Sequence, residues 1–376
     1  MLRTLIKTGS SHALHWMGMD SFAGWLNQLP VVLGYHRVVE DFPSETKSSI
    51  PSLLISRRMF ERQLDWLGQR FRFISLEELG PALERGENFD RPTAAITFDD
   101  GYEDIYYNAF PVLKQKGIPA AVFVVTELLD APQPFIHDKL YWLLCRAYSQ
   151  WPHASLELAC LLRDFDIEPL PIQKLIAVAN NPFQATRDLL TRLSQSQLCR
   201  VTEALEEKLQ PKEDALDSMK PLNQAMLAEM VQSGITIGSH TQTHILLTKE
   251  SRFTVQQELE GSRRDLETKL GMPIRHFAYP DGRFDHRTVQ AVAAAGYRYA
   301  YTTCRHRDPH YPLLTIPRKL LWENSCLDAS GSFSPAVMSC QMNHLFDFLP
   351  GCGQDHRSVA ADAVRVAESR RVGAVP

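Results

Sequence analysis

Between residues 93 and 125 the chain carries two unbroken apolar runs, Thr93-Ala-Ala-Ile-Thr-Phe98 and Pro119-Ala-Ala-Val-Phe-Val-Val125. A stretch of helical character closed by Gly117 separates them. Strands with no polar alternation are buried on both faces, and two of them joined through a helix run parallel. That rhythm recurs. Apolar strand patterns lie at Val31–His36, Thr236–Gly238, Arg275–Tyr279, Tyr299–Thr303 and Leu314–Ile316. Helical spacing is read at Ser56–Phe71, Asp104–Lys116, Asn223–Gln232, Thr254–Leu270 and Asp285–Ala295, and Ser75 followed by Glu77 and Glu78 reads as a helix cap. About seven such units fit a closed α/β barrel better than an open doubly wound sheet, and neither a GxGxxG nor a GxxxxGK[ST] loop supports nucleotide binding.

The rhythm breaks once. Residues 126–221 are polar and helical, too long for a bare loop, and are expected to form a helical insertion or lid between barrel parts 30–125 and 222–320. Its aromatics, Phe135, Tyr141, Trp142, Tyr148 and Trp151, can stack on sugar rings, but their helical spacing favours a core role. Residues 1–29 read as an N-terminal amphipathic segment that packs on the barrel or rests on a membrane surface. Residues 321–376 are a C-terminal extension, expected to be loose after 355.

Net charge is -4 with no basic stripe, which argues against nucleic-acid binding. The seven cysteines are scattered and form no CxxC pair, so reduced thiols are expected rather than a disulfide framework. With no uninterrupted apolar stretch suited to a secretory signal or a membrane span, the expected location is cytoplasmic, including the inner face of the membrane.

The chemistry gathers where strands end. The run from Ala95 finishes in Asp99-Asp100-Gly101, two adjacent carboxylates that repel each other and resist desolvation. A cation offsets that cost. The strand at Thr236–Gly238 leads into His240-Thr-Gln-Thr-His244, whose spacing puts two imidazoles on one side of a turn. Two histidines and one carboxylate leave positions open on zinc or a similar ion. One aspartate can then ligate while the other stays ionised as a base. A third segment, Arg275-His-Phe-Ala-Tyr-Pro-Asp-Gly-Arg-Phe-Asp285, ends a strand in a turn that can offer backbone N–H groups to an oxyanion.

Taken together, "TFDDG", "HTQTH" and "FAYPDGRF" resemble, in order, the first three motifs of the polysaccharide deacetylase family (carbohydrate esterase family 4, the NodB homology domain). The likeness runs over roughly residues 30 to 320. It implies a distorted (β/α) barrel, interrupted here by the insertion, and hydrolysis of the acetamide of N-acetylated sugars in exopolysaccharide or cell-surface glycan biosynthesis. Residue by residue it implies Asp100, His240 and His244 as metal ligands and Asp99 as general base, with the Tyr279 backbone N–H at the oxyanion. The implied metal is divalent, Zn2+ first, with Co2+, Ni2+ or Mn2+ as alternatives. The family's late leucine-x-histidine has no convincing counterpart, and "MNHLF" with His344 matches poorly. "LGYHRVVED" is similar to the Tyr-His motif of some exopolysaccharide-processing relatives, which makes His36 the implied acid. The arginine that orients the base is implied at Arg318, with Arg275 as the alternative. The rival readings are a hydrolase of a non-sugar C–N bond on the same fold and a non-catalytic carbohydrate-binding relative.

Overall fold

The computed structural model describes residues 30–131, 133–168, 181–211, 216 and 219–343. The N-terminal segment, the tail after 355 and His344 therefore lie outside the described residues.

Seven parallel strands close into a ring. β1 (Val31–Tyr35), β5 (Thr93–Phe98), β6 (Ala120–Val124), β7 (Thr236–Ser239), β8 (His276–Ala278), β9 (Tyr299–Thr302) and β10 (Ile316–Leu320) pair in that order, and β10 returns to β1. Phe98 and the residues flanking it in β5 are buried along the whole strand, as are all residues of β6, which is what their unbroken apolar pattern requires. β4 (Arg72–Phe73) adds a short pairing beside the start of β5. Outside the ring, β2 (Arg37–Val39) and β3 (Leu54–Ser56) form a small parallel pair that the apolar pattern alone does not reveal.

The helices outside the ring follow from local chemistry. α1 (Arg57–Gly68) starts at Ser56, whose side chain accepts from the Met59 N–H, and buries Met59, Phe60, Leu64 and Leu67. α2 (Leu76–Glu84) has the full capping box of Ser75 and Glu78. α3 (Phe110–Lys116) follows a π-helical turn at Ile105–Ala109 and ends at Gly117, whose φ of 64° suits a residue without a Cβ. After the insertion come α8 (Gln224–Gln232), α9 (Arg252–Leu270) and α10 (His286–Ala294), and α11 (Pro335–Met342) closes the described chain. None of the described helices is long and apolar enough to cross a membrane.

The insertion is helical, as expected: α4 (Ile136–Gln150), α5 (Ala154–Asp164), α6 (Pro182–Arg192) and α7 (Gln195–Leu209). These helices share an apolar core of their own, built on Leu140, Leu144, Leu162, Leu189, Val201 and Leu205. Phe135, Tyr141 and Trp142 are buried, so they are core residues. Both ends are bonded to the barrel mouth. Thr126 and Glu127 donate to the carbonyls of Thr241 and Gln242, and Leu222 donates to that of Gly101. Among the described residues no two cysteines are joined by a disulfide.

One strand lies later than expected. The run read at Leu314–Ile316 is β10 at Ile316–Leu320: Pro312–Leu314 form a 3-10 turn instead, and Pro317 lies within the strand, in register with Thr302 of β9. The shift places Arg318 inside the strand, paired with Val32 of β1. Gly238, in the middle of β7, leaves no room for a side chain: a Cβ there would lie 2.5 Å from the Phe123 ring and 2.9 Å from the His276 carbonyl. Gly238→Ala is therefore expected to destabilise the protein by about 1–3 kcal/mol, the range for overpacking a core. Urea unfolding of the two proteins measures it.

Candidate metal centre and active site

The three motif loops leave β5, β7 and β8 at their C-terminal ends and meet at the mouth of the ring. Backbone strain marks them. Non-glycine residues with positive φ include Asp100 (70°), Thr241 (70°), His244 (62°) and Asp281 (54°), one or more in each loop. A β-branched residue such as Thr241 rarely adopts this conformation, and such outliers persist where the surroundings over-determine them. Here the restraint is visible. The Glu258 carboxylate accepts from the N–H groups of Gln242 and Thr243 at 2.8 and 3.0 Å and from the Thr243 hydroxyl at 2.6 Å. Thr241 Oγ1 accepts from the His244 N–H at 2.9 Å. The histidine pair is thus carried on a braced loop, not on a helical turn.

Asp100, His240 and His244 converge, with one ligand atom of each within 4.8 Å of the others. Asp100 Oδ1 lies 3.6 Å from His240 Nε2 and 3.3 Å from His244 Nε2. His240 Nδ1 is 2.8 Å from the Ala278 carbonyl, which can only accept, so Nδ1 carries the proton and Nε2 is bare. Asp100 Oδ1 is buried with no hydrogen-bond partner. Burial, reinforced by the charges of Asp99 and Asp138, pushes the Asp100 carboxyl well above the usual carboxylate range. Burial and the neighbouring His137 and His240 hold His244 well below the usual histidine value. A buried carboxylate oxygen facing neutral imidazole nitrogens is a donor set for a divalent cation, and these residues fit one.

Asp99 stands beside this cluster in a different environment. Arg318 reaches across β1 from β10 and grips it with two bonds, Nη1 to Oδ1 at 2.6 Å and Nη2 to Oδ2 at 2.7 Å. Burial alone would raise the Asp99 pKa, but the Arg318 guanidinium, with His240 adding to it, brings the group down to about 2. His36 follows β1, and its Nε2 is 3.9 Å from Asp99 Oδ2. Burial lowers His36 to about 4, against the pull of Asp99 and with Arg318 adding to the lowering. The alternative arginine, Arg275, is elsewhere, paired with Glu77 at 3.3 Å.

One expectation is corrected. The Tyr279 N–H donates to the Tyr301 carbonyl at 3.0 Å as part of the pairing between β8 and β9, and the Tyr279 hydroxyl donates to the Leu314 carbonyl. That N–H is not free to meet an oxyanion. Tyr279 ends the strand pattern read at Arg275–Tyr279, and its N–H is spent in the ladder to β9.

A family model described as polysaccharide deacetylase matches residues 86–153 and 184–300, which carry all three motif loops. The chain belongs to the polysaccharide deacetylase family. The gap in the match falls inside the insertion. YxkH of Bacillus subtilis, which carries the family's name, is 20% identical over 290 residues, covering 76% of this chain and 69% of that one. The poly-beta-1,6-N-acetyl-D-glucosamine N-deacetylase of Staphylococcus epidermidis is 36% identical over 104 residues, 26% of this chain, so the match spans only 36% of that enzyme. Among solved structures, the Streptococcus pyogenes deacetylase PplD in complex with acetate has a TM-score of 0.54 at 20% identity, covering 84% of this chain and 99% of that one. IcaB from Ammonifex degensii has a TM-score of 0.52 at 19% identity, covering 84% and 98%. At these identities the two structures speak for the fold.

Other members of the site have no family motif in the sequence. Arg37 is buried after β1 and bonds Asp104 through Nε at 2.7 Å. Tyr102, His137 and Asp138 form a buried cluster behind Asp100, the last two supplied by the insertion. Glu258 comes from α9, where it reads as one more polar position on a largely exposed helix. Removing its carboxylate strands two backbone N–H groups, so Glu258→Ala is expected to lose about 3 kcal/mol of stability, within the range for a charged hydrogen-bond network. Denaturant unfolding of the two forms tests this.

Proposed function

We propose that this protein is a metal-dependent deacetylase of N-acetylated glycans, releasing acetate and leaving a free amine on the sugar. The observation that carries the reading is the division of labour between adjacent carboxylates: Asp100 faces His240 and His244, whereas Asp99 is held in two bonds by Arg318. A structural pair would not need one oxygen left unpartnered beside two neutral imidazoles. A Zn2+, Co2+, Ni2+ or Mn2+ ion on Asp100, His240 and His244 supplies Lewis-acid chemistry, lowering the pKa of a water and polarising the acetamide carbonyl.

Asp99 takes the proton of the attacking water. Arg318 keeps it ionised and fixes its plane, so the accepting oxygen is already aimed. His36 delivers a proton to the departing amine. Burial holds His36 below the usual histidine value, and the Arg318 guanidinium holds Asp99 below the usual carboxylate value. The imidazole is therefore neutral at rest and takes up the proton it delivers during turnover, with its Nε2 3.9 Å from Asp99 Oδ2. The bond between carbonyl carbon and nitrogen breaks, and the water's oxygen ends in acetate. The staphylococcal relative's name specifies a β-1,6-linked N-acetylglucosamine polymer, and PplD was captured with acetate. The first of these names supports an N-acetylhexosamine polymer as the substrate class.

The first test is acetate release from β-1,6-linked N-acetylglucosamine oligomers by metal-loaded protein. Release should stop with chelator and in Asp100→Ala, whereas no release from any N-acetylhexosamine oligomer, with metal bound, would overturn the sugar reading in favour of another C–N bond. Asp99→Asn should keep its metal and lose about 10²- to 10⁴-fold in kcat, the usual contribution of a general base. Arg318→Gln removes the charge that lowers the Asp99 pKa while the burial that raises it remains. The ionised fraction of Asp99 then falls at neutral pH, and the acid limb of kcat/KM moves to higher pH than in the wild type. Arg318→Lys, which keeps the charge but not the two-pronged grip, should lose rate with less movement of that limb. A pH–rate series on the three proteins separates these effects.

A further inference from the structure

α4 begins Ile136-His137-Asp138, and both polar residues are buried, at 4% and 0% exposure. The first turn of a helix is ordinarily where such groups meet water, so burying two of them calls for partners. The partner is Tyr102, the residue after Gly101. Its hydroxyl lies 2.6 Å from Asp138 Oδ2 and 2.7 Å from His137 Nε2.

A phenol has one proton. The carboxylate can only accept it, so Tyr102 donates to Asp138, and its oxygen is left to accept from His137. The tautomer follows: His137 carries its proton on Nε2, and Nδ1 is bare, buried and without a partner. The protonated edge lies 3.9 Å from Asp100 Oδ2, and the ring centroid lies 4.9 Å from that of His244. Asp100 thus faces His240 and His244 through Oδ1 and His137 through Oδ2.

We propose that His137 is a positioning residue of the metal centre, acting through Asp100. A carboxylate that ligates through one oxygen can still swing its plane about its last bond. An imidazole N–H edge fixed beside the outer oxygen opposes that swing and holds the inner oxygen turned towards the histidine pair. At 3.9 Å the effect is electrostatic rather than a direct hydrogen bond, and the site's burial strengthens it. The Tyr102–Asp138 pair fixes the imidazole, and the Arg37 guanidinium, bonded to Asp104, lies 5.2 Å from the centre of the Tyr102 ring. The insertion is on this view a structural part of the metal centre, not only a cover over it. The inference rests on the metal reading above.

The test is Co2+ affinity by chelator competition, with the visible absorption spectrum of the Co2+ protein recorded alongside. His137→Leu is expected to bind Co2+ about 10- to 100-fold more weakly than wild type, the range for residues that orient ligands. Its spectrum should be altered, and His137→Gln, which retains an N–H, should recover most of the affinity. Tyr102→Phe and Asp138→Asn, which leave the imidazole but remove its anchor, should weaken binding in the same direction. They decide the matter if His137→Leu fails to fold. Wild-type affinity and spectrum in these variants would overturn the proposal and leave the metal centre standing. Loss of one imidazole from the Co2+ X-ray absorption shell in His137→Leu would also overturn it, by making His137 a ligand. Failure of the wild type to bind Co2+ or Zn2+ would instead remove the metal reading itself.

Discussion

Two carboxylates in consecutive positions at a buried strand end cannot both remain ionised unless each has its own positive partner. The architecture around Asp99 and Asp100 follows from that constraint. Asp99 receives Arg318, more than two hundred residues away in sequence, because β10 closes the ring against β1 and β1 lies against β5. Gly34 on β1 lies under the crossing: a Cβ there would be 2.6 Å from Leu320 and 3.9 Å from the Arg318 guanidinium. Ring closure and active-site assembly are one event, since an open sheet would leave Asp99 without its partner. Asp100 is left facing two imidazoles, and that leaves it short of positive charge.

The same asymmetry separates their chemistry. Neighbouring residues of one type are driven apart in pKa, Asp99 downwards by the guanidinium and Asp100 upwards by burial and like charge. In the proposed reaction the first serves as the base and the second as the ligand of a cation. Pairs of groups whose surroundings push them in opposite directions are how a site assigns roles to chemically identical side chains.

Much of this was legible in the sequence. β5 was read to the residue because no charged residue interrupts the six positions from Thr93 to Phe98, four of them apolar and two threonines. The three loops were visible because titratable residues follow strand patterns. Arg318 was a candidate, yet its strand was placed early, since Pro317 and the polar pair Arg318-Lys319 interrupt the apolar pattern. The Tyr279 N–H was misassigned because interstrand pairing depends on a partner, Tyr301, that local sequence does not name. His137 and Asp138 escaped because they open an amphipathic helix, where polar residues are unremarkable. Only the fold of the insertion against Tyr102 turns them inward. What was missed depends on contacts across the chain rather than on pattern along it.

The attachment of the insertion has a mechanical consequence. Its first residues are bonded to the carbonyls of Thr241 and Gln242, Leu222 just after its last residue is bonded to that of Gly101, and Gln195 at the start of α7 donates to the Thr243 carbonyl. Every one of these anchor points lies within one residue of a metal-ligand position or between the two histidines. The chain also enters the insertion directly from β6, so any displacement of the four helices reaches that strand and the loops carrying Asp100, His240 and His244 together.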